Sequence, residues 1–469
     1  HAPVVDQGTG PLTLTVWEDS TASSWLGWNK RFGGRLNEVC HDVLATSDGG
    51  YLLVGESNST SDGDKNQTSR GGQDFWAVKI DASGAKVWDR RFGGSQDDYC
   101  KNAVATVDGG YLLVGGSYSG VDGDKTQSGR GSRDYWAVKI DENGTKVWDK
   151  RFGASGADYC QSVVGTIDGG FLLGGFSASG VDGDKSEPSR GSNDYWVVKI
   201  DENGTKVWDK RFGGTGNDEC RTVVNAGDGG FLLVGNSDSA ADGDKSEASR
   251  GNADYWAVKI DENGTKVWDK RFGTFNLDSF YDAASSSDGG FFLAGHVFSD
   301  NPDGDKSQVG RGGHDYWVVK INADGAKVWD KRFGGGLDDY CRSVLGLPNG
   351  GCVLSGQAWP SGGDHSAASQ GTFDYWIVRL DAAGNKLWDS RFGGGGLDVS
   401  QAMVETPDGG YLVVGQSDSG NGGDKDEPSR GGNDYWAIKI PIDLTATDAD
   451  GDTLTWTVET NATNGTATV

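Results

Sequence analysis

The residues of this chain with the most capacity for chemistry are carboxylates, and they recur at fixed spacing. An Asp-Gly-Asp segment ends in Asp64, Asp124, Asp184, Asp244 and Asp305, with Asp364 and Asp424 at the same place in two further copies. A second series stands before an aromatic pair: Asp74, Asp134, Asp194, Asp254, Asp315, Asp374 and Asp434. Two such groups on one Gly/Ser-rich loop, Asp124 with Asp134 or Asp184 with Asp194, suit Ca²⁺, a hard cation that collects carboxylate and carbonyl oxygens. The same groups equally suit loop amides and the loop's own Arg and Lys as partners.

A third series is Glu38, Asp98, Asp158, Asp218, Asp278, Asp339 and Asp398. Each unit also places an arginine a few residues earlier, from Arg31 to Arg391. The expected arrangement is an Arg–Asp pair that staples neighbouring units. Three residues break the regularity and are the candidate ligand-binding set. Trp359 and His365 lie in a loop where other units carry small polar residues or lysine, and Phe298 lies in a unit that also departs at Phe275, Phe280, Tyr281 and His296. The five histidines form no metal-ligand spacing, and there is no nucleophile elbow, phosphate-cradling loop or dinucleotide fingerprint. A non-catalytic protein is expected.

What must position these groups is a repeat of about 60 residues. Its Trp-x-x-Arg-Phe-Gly segment starts at Trp28, Trp88, Trp148, Trp208, Trp268, Trp329 and Trp388. Within one unit, Cys160–Thr166 and Phe171–Phe176 flank Asp168-Gly169-Gly170, a hairpin signal. A long Gly/Ser/Asp segment follows, then Asp194–Ile200, a turn at Asn203-Gly204, and Thr205–Phe212. Four antiparallel strands with one long loop make a propeller blade, and seven blades are expected to close a ring without exposed edges. The first unit begins with its last strand, near Trp25–Phe32, and the last unit stops at Ile440, so the N-terminal strand should complete the final blade. Fourteen of the 18 Trp residues recur at fixed places in the third and fourth strands, as packing between blades.

Composition narrows the partners. A net charge of −26 argues against nucleic acid and anionic membranes. No apolar run is long enough to insert into a bilayer. Cys40, Cys100, Cys160, Cys220 and Cys341 occupy one repeat position and so point the same way around the ring; with Cys352 they are expected as unpaired, buried thiols.

The pattern Asp-Gly-Gly-Tyr-Leu-Leu-Val-Gly, Asp-Tyr-Trp-Ala-Val-Lys-Ile-Asp and Lys-Val-Trp, carried from Trp28 to Ile440, resembles the bacterial seven-bladed β-propeller repeats (SBBP type) of large secreted and surface proteins. The resemblance implies the fold and no single activity. The flanks, Leu14–Ser20 and Ile442–Trp456, resemble bacterial cadherin-like or Ig-like tandem repeats, and Asp448, Asp450 and Asp452 there resemble a cadherin-like calcium site. The expected organisation is all-β, with a seven-bladed propeller (25–440) inserted in a partial Ig-like or cadherin-like β-sandwich whose two parts are 1–24 and 441–469. Self-association through these flanks, or continuation into further Ig-like repeats, would complete the sandwich. The function expected first is an extracellular or cell-surface structural or adhesive module, possible as a filament unit, with calcium as the candidate cofactor. The alternative is a lectin-like propeller that binds a glycan or a surface protein.

Overall fold

The computed structural model describes residues 26–298, 301–360 and 362–441. These residues form 28 strands and no helix. The chain opens with β1 (Trp28–Phe32), then β2 (Glu38–Ala45), β3 (Tyr51–Ser57), β4 (Asp74–Ile80) and β5 (Lys86–Phe92). Strands β2 to β5 pair in order as one antiparallel sheet, blade 1, and the same four-strand sheet recurs until seven blades are made. Their first strands begin at Glu38, Asp98, Asp158, Asp218, Asp278, Asp339 and Asp398. Each first strand touches the first strands on either side, so these seven line the axis of a closed ring.

Closure occurs where the repeat predicts it. β1 pairs antiparallel with Asp434–Ile440, in register from Trp28 opposite Lys439 to Phe32 opposite Tyr435. It thereby supplies the fourth strand of blade 7. Closure does not remove every edge, however. The outermost strand of each blade pairs on one side only and leaves a free edge at the rim. That edge is blunted by a register shift beside Val87 and by charges such as Lys86 and Arg90, devices that discourage strand addition.

Each blade is covered on both faces by its neighbours, so β4 is buried along its whole length. Its sequence, Asp-Phe-Trp-Ala-Val-Lys-Ile, is accordingly near-continuously apolar rather than alternating. Asp74 and Lys79 are the exceptions: Asp74 accepts from Arg70 N at 2.7 Å, and the Lys79 ammonium reaches Asp48 in the first hairpin turn at 2.8 Å. The third-strand tryptophans are fully buried and each meets an aromatic ring of the preceding blade, as Trp196 meets Tyr135 at 4.8 Å. The tyrosine hydroxyl then donates across the junction, Tyr135 Oη to Trp196 O at 2.8 Å and Tyr435 Oη to Trp76 O at 3.0 Å. Gly55 is required at this junction, because a Cβ there would collide with Val39 O and approach Tyr435 Oη. All six cysteines are unpaired and buried in these inter-blade layers.

The arginine staple exists, but with a different carboxylate from the one expected. Arg91 of blade 1 reaches Asp124 in the long loop of blade 2 at 2.7 Å, and Arg70 of blade 1 joins it at 2.7 Å. Asp64, Asp184, Asp244, Asp305 and Asp364 each take two arginines in the same way. The Glu38 series is instead turned under its own loop. Glu38 accepts from Gly34 N at 2.9 Å and Ser57 Oγ at 2.8 Å, and Asp98 accepts from Gly94 N and Ser119 Oγ. Arg91 Nε also lies 3.8 Å from Asp74 of its own blade, so the guanidinium bridges Asp74 and Asp124 across the junction.

One junction lacks the clamp. Asp424 accepts from Gln370 Nε2 and Gly393 N, while Arg391 turns to Ala358 O at 2.7 Å. Without a guanidinium beside it, burial pushes the Asp424 carboxyl up to about 6.

The expected Ig-like or cadherin-like flanks, with Asp448, Asp450 and Asp452, lie outside the described residues.

Two outcomes follow from closure and clamping. Deleting residues 1–32 removes β1 and bares the edge of Asp434–Ile440; a lower melting temperature or aggregation is expected by calorimetry and light scattering, and an unchanged melt would refute closure by β1. Asp124→Ala strands Arg70 and Arg91 and should cost about 2 kcal/mol in urea unfolding, below the loss for a fully buried pair because solvent reaches the site. Asp424→Ala, which strands no arginine, should cost less.

Candidate functional site at the channel mouth

The channel owes its lining to a bulge. In every blade the pairing of the first two strands slips by one residue, between Cys40 and Asp42 in blade 1 and at the equivalent place in the other six. A bulge leaves one residue outside the ladder and re-aims its side chain. Those residues are His41, Lys101, Gln161, Arg221, Tyr281, Arg342 and Gln401, no two neighbours alike. Arg342 of blade 6 acts electrostatically on His41 of blade 1, with blade 7 between them, so the series converges across the bore.

Beneath the bulges runs a girdle of polar contacts between blades. Asp42 accepts from Asn102 Nδ2 at 2.8 Å and Ala103 N at 3.0 Å. Asn102 Oδ1 accepts from Val163 N at 2.9 Å, and Ser162 Oγ from Val223 N at 3.1 Å. On the far side Asp282 accepts from Ser343 Oγ and Val344 N, both at 3.0 Å. Burial raises the Asp42 carboxyl to about 7 and Asp282 to about 6, and in Asp42 the charge of Asp282 adds to the effect.

Several repeat positions that vary widely from unit to unit lie together here. Glu56, Gly116, Phe176, Asn236, His296, Gln357 and Gln416 share one second-strand position, and each pairs with a variable first-strand residue such as Val39, Tyr99 or Tyr340. The residue just before the third strand is equally varied, as Gln73, Arg133, His314 or Phe373, and Arg133 and Phe373 each bridge to the start of the next blade. The repeat thus keeps its packing and clamp residues while changing its chemistry at the loop-side mouth of the channel.

Two sectors of the mouth are aromatic. On blades 5 and 6, ring contacts run from Phe298 to His314 at 5.3 Å, His314 to Tyr340 at 5.2 Å, Tyr340 to Phe373 at 6.0 Å and Phe373 to Trp359 at 4.6 Å. His296 packs edge-on to Tyr340 at 4.8 Å, and the Arg342 guanidinium lies 4.2 Å over Tyr281. Burial lowers His296 well below the usual histidine range, and it lowers His314 as well, so both imidazoles are neutral at neutral pH. On blades 2 and 3, Arg133 lies over Tyr159 at 4.7 Å, Tyr99 at 5.0 Å and Tyr118 at 5.6 Å. Between the sectors, Lys101 and Glu56 meet at His41 Nε2, at 2.8 and 2.9 Å.

Of the residues singled out from sequence, Trp359 and Phe298 end the same aromatic chain, so the two irregular units form one surface. His365 belongs elsewhere. It occupies the place of the buried Lys65 and Lys125, sits against Trp376 at 4.3 Å and reaches Asp339 at 3.2 Å, making it part of the blade interior. Sequence reasoning did not single out Tyr340, His314, Phe373, Arg342 or Arg133 as site residues. The signal was present in the columns of the repeat that change from unit to unit.

The loop carboxylates are differently engaged. Asp124 and Asp184 each accept two guanidinium groups and a backbone N–H from Gly93 or Gly153. Asp134 and Asp194 accept Arg130 N and Arg190 N at 2.7 and 2.8 Å. Among the described residues no three or more His, Cys, Asp or Glu side chains converge as metal ligands.

No known family model matches the chain, and no curated protein sequence matches it. Solved structures do. A protein of unknown function from Bacteroides caccae is 14% identical, covers 72% of this chain and 93% of its own, with a TM-score of 0.37. The Neurospora crassa Pan2 WD40 domain is 10% identical over 90% of this chain and 98% of its own, TM-score 0.47. A Synechocystis apocarotenoid oxygenase is 11% identical over 90% and 95%, TM-score 0.39. At these identities the likeness is one of fold alone.

The girdle makes stability depend on pH. Burial raises Asp42 and Asp74 to about 7 and Asp278 to about 8. These groups hold protons more tightly folded than unfolded, so their stabilisation is complete below about pH 4 and is lost as pH climbs through the folded values. The lowered histidines act oppositely, but only below about pH 6.5. The melting temperature should therefore be higher at about pH 6.5 than at about pH 7.5, below the range where Lys65, Lys185, Lys245 and Lys425, lowered by burial to about 8, act in the opposite sense, and Asp42→Asn should shrink the difference. A melt that rises with pH over this window would overturn the assignment.

Proposed function

We propose that this chain is a non-catalytic binding module whose ligand surface is the loop-side mouth of its channel. One observation carries the reading: aromatic, cationic and amide side chains that differ from unit to unit are brought together at that mouth, while the positions that persist are spent on blade packing and arginine clamps. A constant framework that presents varied side chains at its mouth suits recognition, and the exposed Phe298 with its half-buried aromatic neighbours suits stacking against a ligand. The ligand class this supports is a glycan, whose apolar sugar faces stack on aromatic rings while its hydroxyls meet histidine and glutamine.

The setting rests on the sequence. The SBBP-type resemblance, the Ig-like character of the flanks and the acidic surface support an adhesive role in an extracellular or cell-surface protein. Self-association through the flanks, or continuation into further Ig-like repeats, belongs to the same proposal, as does calcium at Asp448, Asp450 and Asp452.

The test is a glycan array with the full chain, followed by Trp359→Ala and Tyr340→Ala. A glycan ligand whose affinity falls about ten-fold in either variant, with the melting temperature kept, is the expected result. Binding that neither variant alters would place recognition away from the mouth.

A further inference from the structure

The aromatic sectors are not neutral surfaces, because each contains an arginine without a carboxylate. Most arginines of the ring are paired: Arg70 and Arg91 with Asp124, Arg130 and Arg151 with Asp184. At the mouth, Arg221 is matched by Glu219 at 2.7 Å, and Lys101 by Glu56 at 3.4 Å. Arg133 and Arg342 have no ion pair among the described residues, in a chain that carries 69 acidic against 43 basic side chains. Arg133 is only 9% exposed, and its Nε and Nη2 find no hydrogen-bond acceptor. Nε of Arg342 is likewise buried without an acceptor.

Burying a guanidinium with its donors unmet is costly. Tyrosine faces offset part of that through cation–π contact, Tyr99, Tyr118 and Tyr159 for Arg133, Tyr281 and Tyr340 for Arg342. Stacking occupies the flat faces of the group; Nε and Nη2 of Arg133 are enclosed, so the donors left for an acceptor at the mouth are its Nη1 and the two Nη groups of Arg342. Gly116 makes room for the Arg133 guanidinium itself: a Cβ there would collide with Arg133 Nε, and other blades carry a side chain at this position. The bulge residues add to the bias. His41, Lys101, Gln161, Arg221, Tyr281, Arg342 and Gln401 are all able to donate, and none is acidic.

We propose that the mouth takes an acidic saccharide, with its carboxylates held by the outer Nη donors of Arg342 and Arg133 and its sugar faces set on the tyrosines and on the Trp359–Phe373 edge. This rests on the reading of the mouth as a glycan site and adds the charge of the ligand. The acidic exterior keeps polyanions from adhering elsewhere, so the two uncompensated arginines select where an anionic chain docks.

The experiment is calorimetric titration of the full chain with oligogalacturonate, with the same oligomer after reduction of its carboxyls, and with polyglutamate, at low and at raised salt. Oligogalacturonate should bind, should weaken with salt, and should exceed the reduced oligomer about ten-fold in affinity. Arg342→Gln and Arg133→Gln should each lose about as much, with unchanged melting temperatures, and Arg342→Lys should restore only part. The reduced-oligomer comparison needs no variant, so it stands even where a substitution unfolds the chain. Equal binding of both oligomers would overturn the acidic preference and leave the mouth as a saccharide site. Polyglutamate binding alone would overturn the saccharide. Binding of none of the three, beside an array ligand that depends on Trp359, would overturn this inference only; absence of any Trp359-dependent ligand would overturn both.

Discussion

The constraint on which this structure depends is that a four-stranded blade cannot bury its own faces. Every third strand is apolar on both sides, so each sheet is stable only between two others, and the array must close to leave none half covered. The fully buried tryptophans, the tyrosine hydroxyls that donate into the next blade and the paired arginines on Asp124 and its equivalents are successive layers of one junction, from the core to the loop face. Because the junctions share one packing scheme, with the paired arginines missing only at Asp424, the repeat length is fixed and the loop face inherits a fixed geometry.

That regularity explains why the architecture was legible in the sequence. Asp-Gly-Gly turns, the Asp-Tyr-Trp strand and the Lys-Val-Trp strand recur with their spacing, and the interrupted first and last units indicated how the ring closes. The partner of the arginine was not legible. Sequence proximity favoured Glu38, but the side chain of Arg31 extends away from it toward Asp64, and only the direction in which a strand residue points distinguishes the two. The free outer edges were also missed, since blade closure and edge removal look the same in a list of strands.

The site was half legible. Trp359 and Phe298 stood out against the small residues Asn58, Ala178, Asp238 and Asp418 at the same repeat position, where Tyr118 also stands, whereas Tyr340 and Arg342 sit in a strand where Tyr99 and Lys101 look equally ordinary. Their significance depends on the bulge, a one-residue slip that no local sequence pattern in the unit announces. His365 looked like a surface ligand because it breaks a loop, yet it fills the seat of a buried lysine. A departure from the repeat can mean either a new surface or a repaired interior, and burial decides between them.

The antiparallel pairing of β1 with Asp434–Ile440 sets how the ring answers a pulling force. The chain enters β1 at Trp28 and leaves the last strand beside its partner, Lys439, so both tethers attach at one end of the same pair. Tension along the chain would load the hydrogen bonds of this ribbon one after another, from Trp28 toward Phe32, rather than all at once. A bond worth about 1 kcal/mol net yields readily when loaded singly. The same strand that seals the ring at rest is thus its release point under traction: an unzipping seam, after which the remaining blades can open in turn.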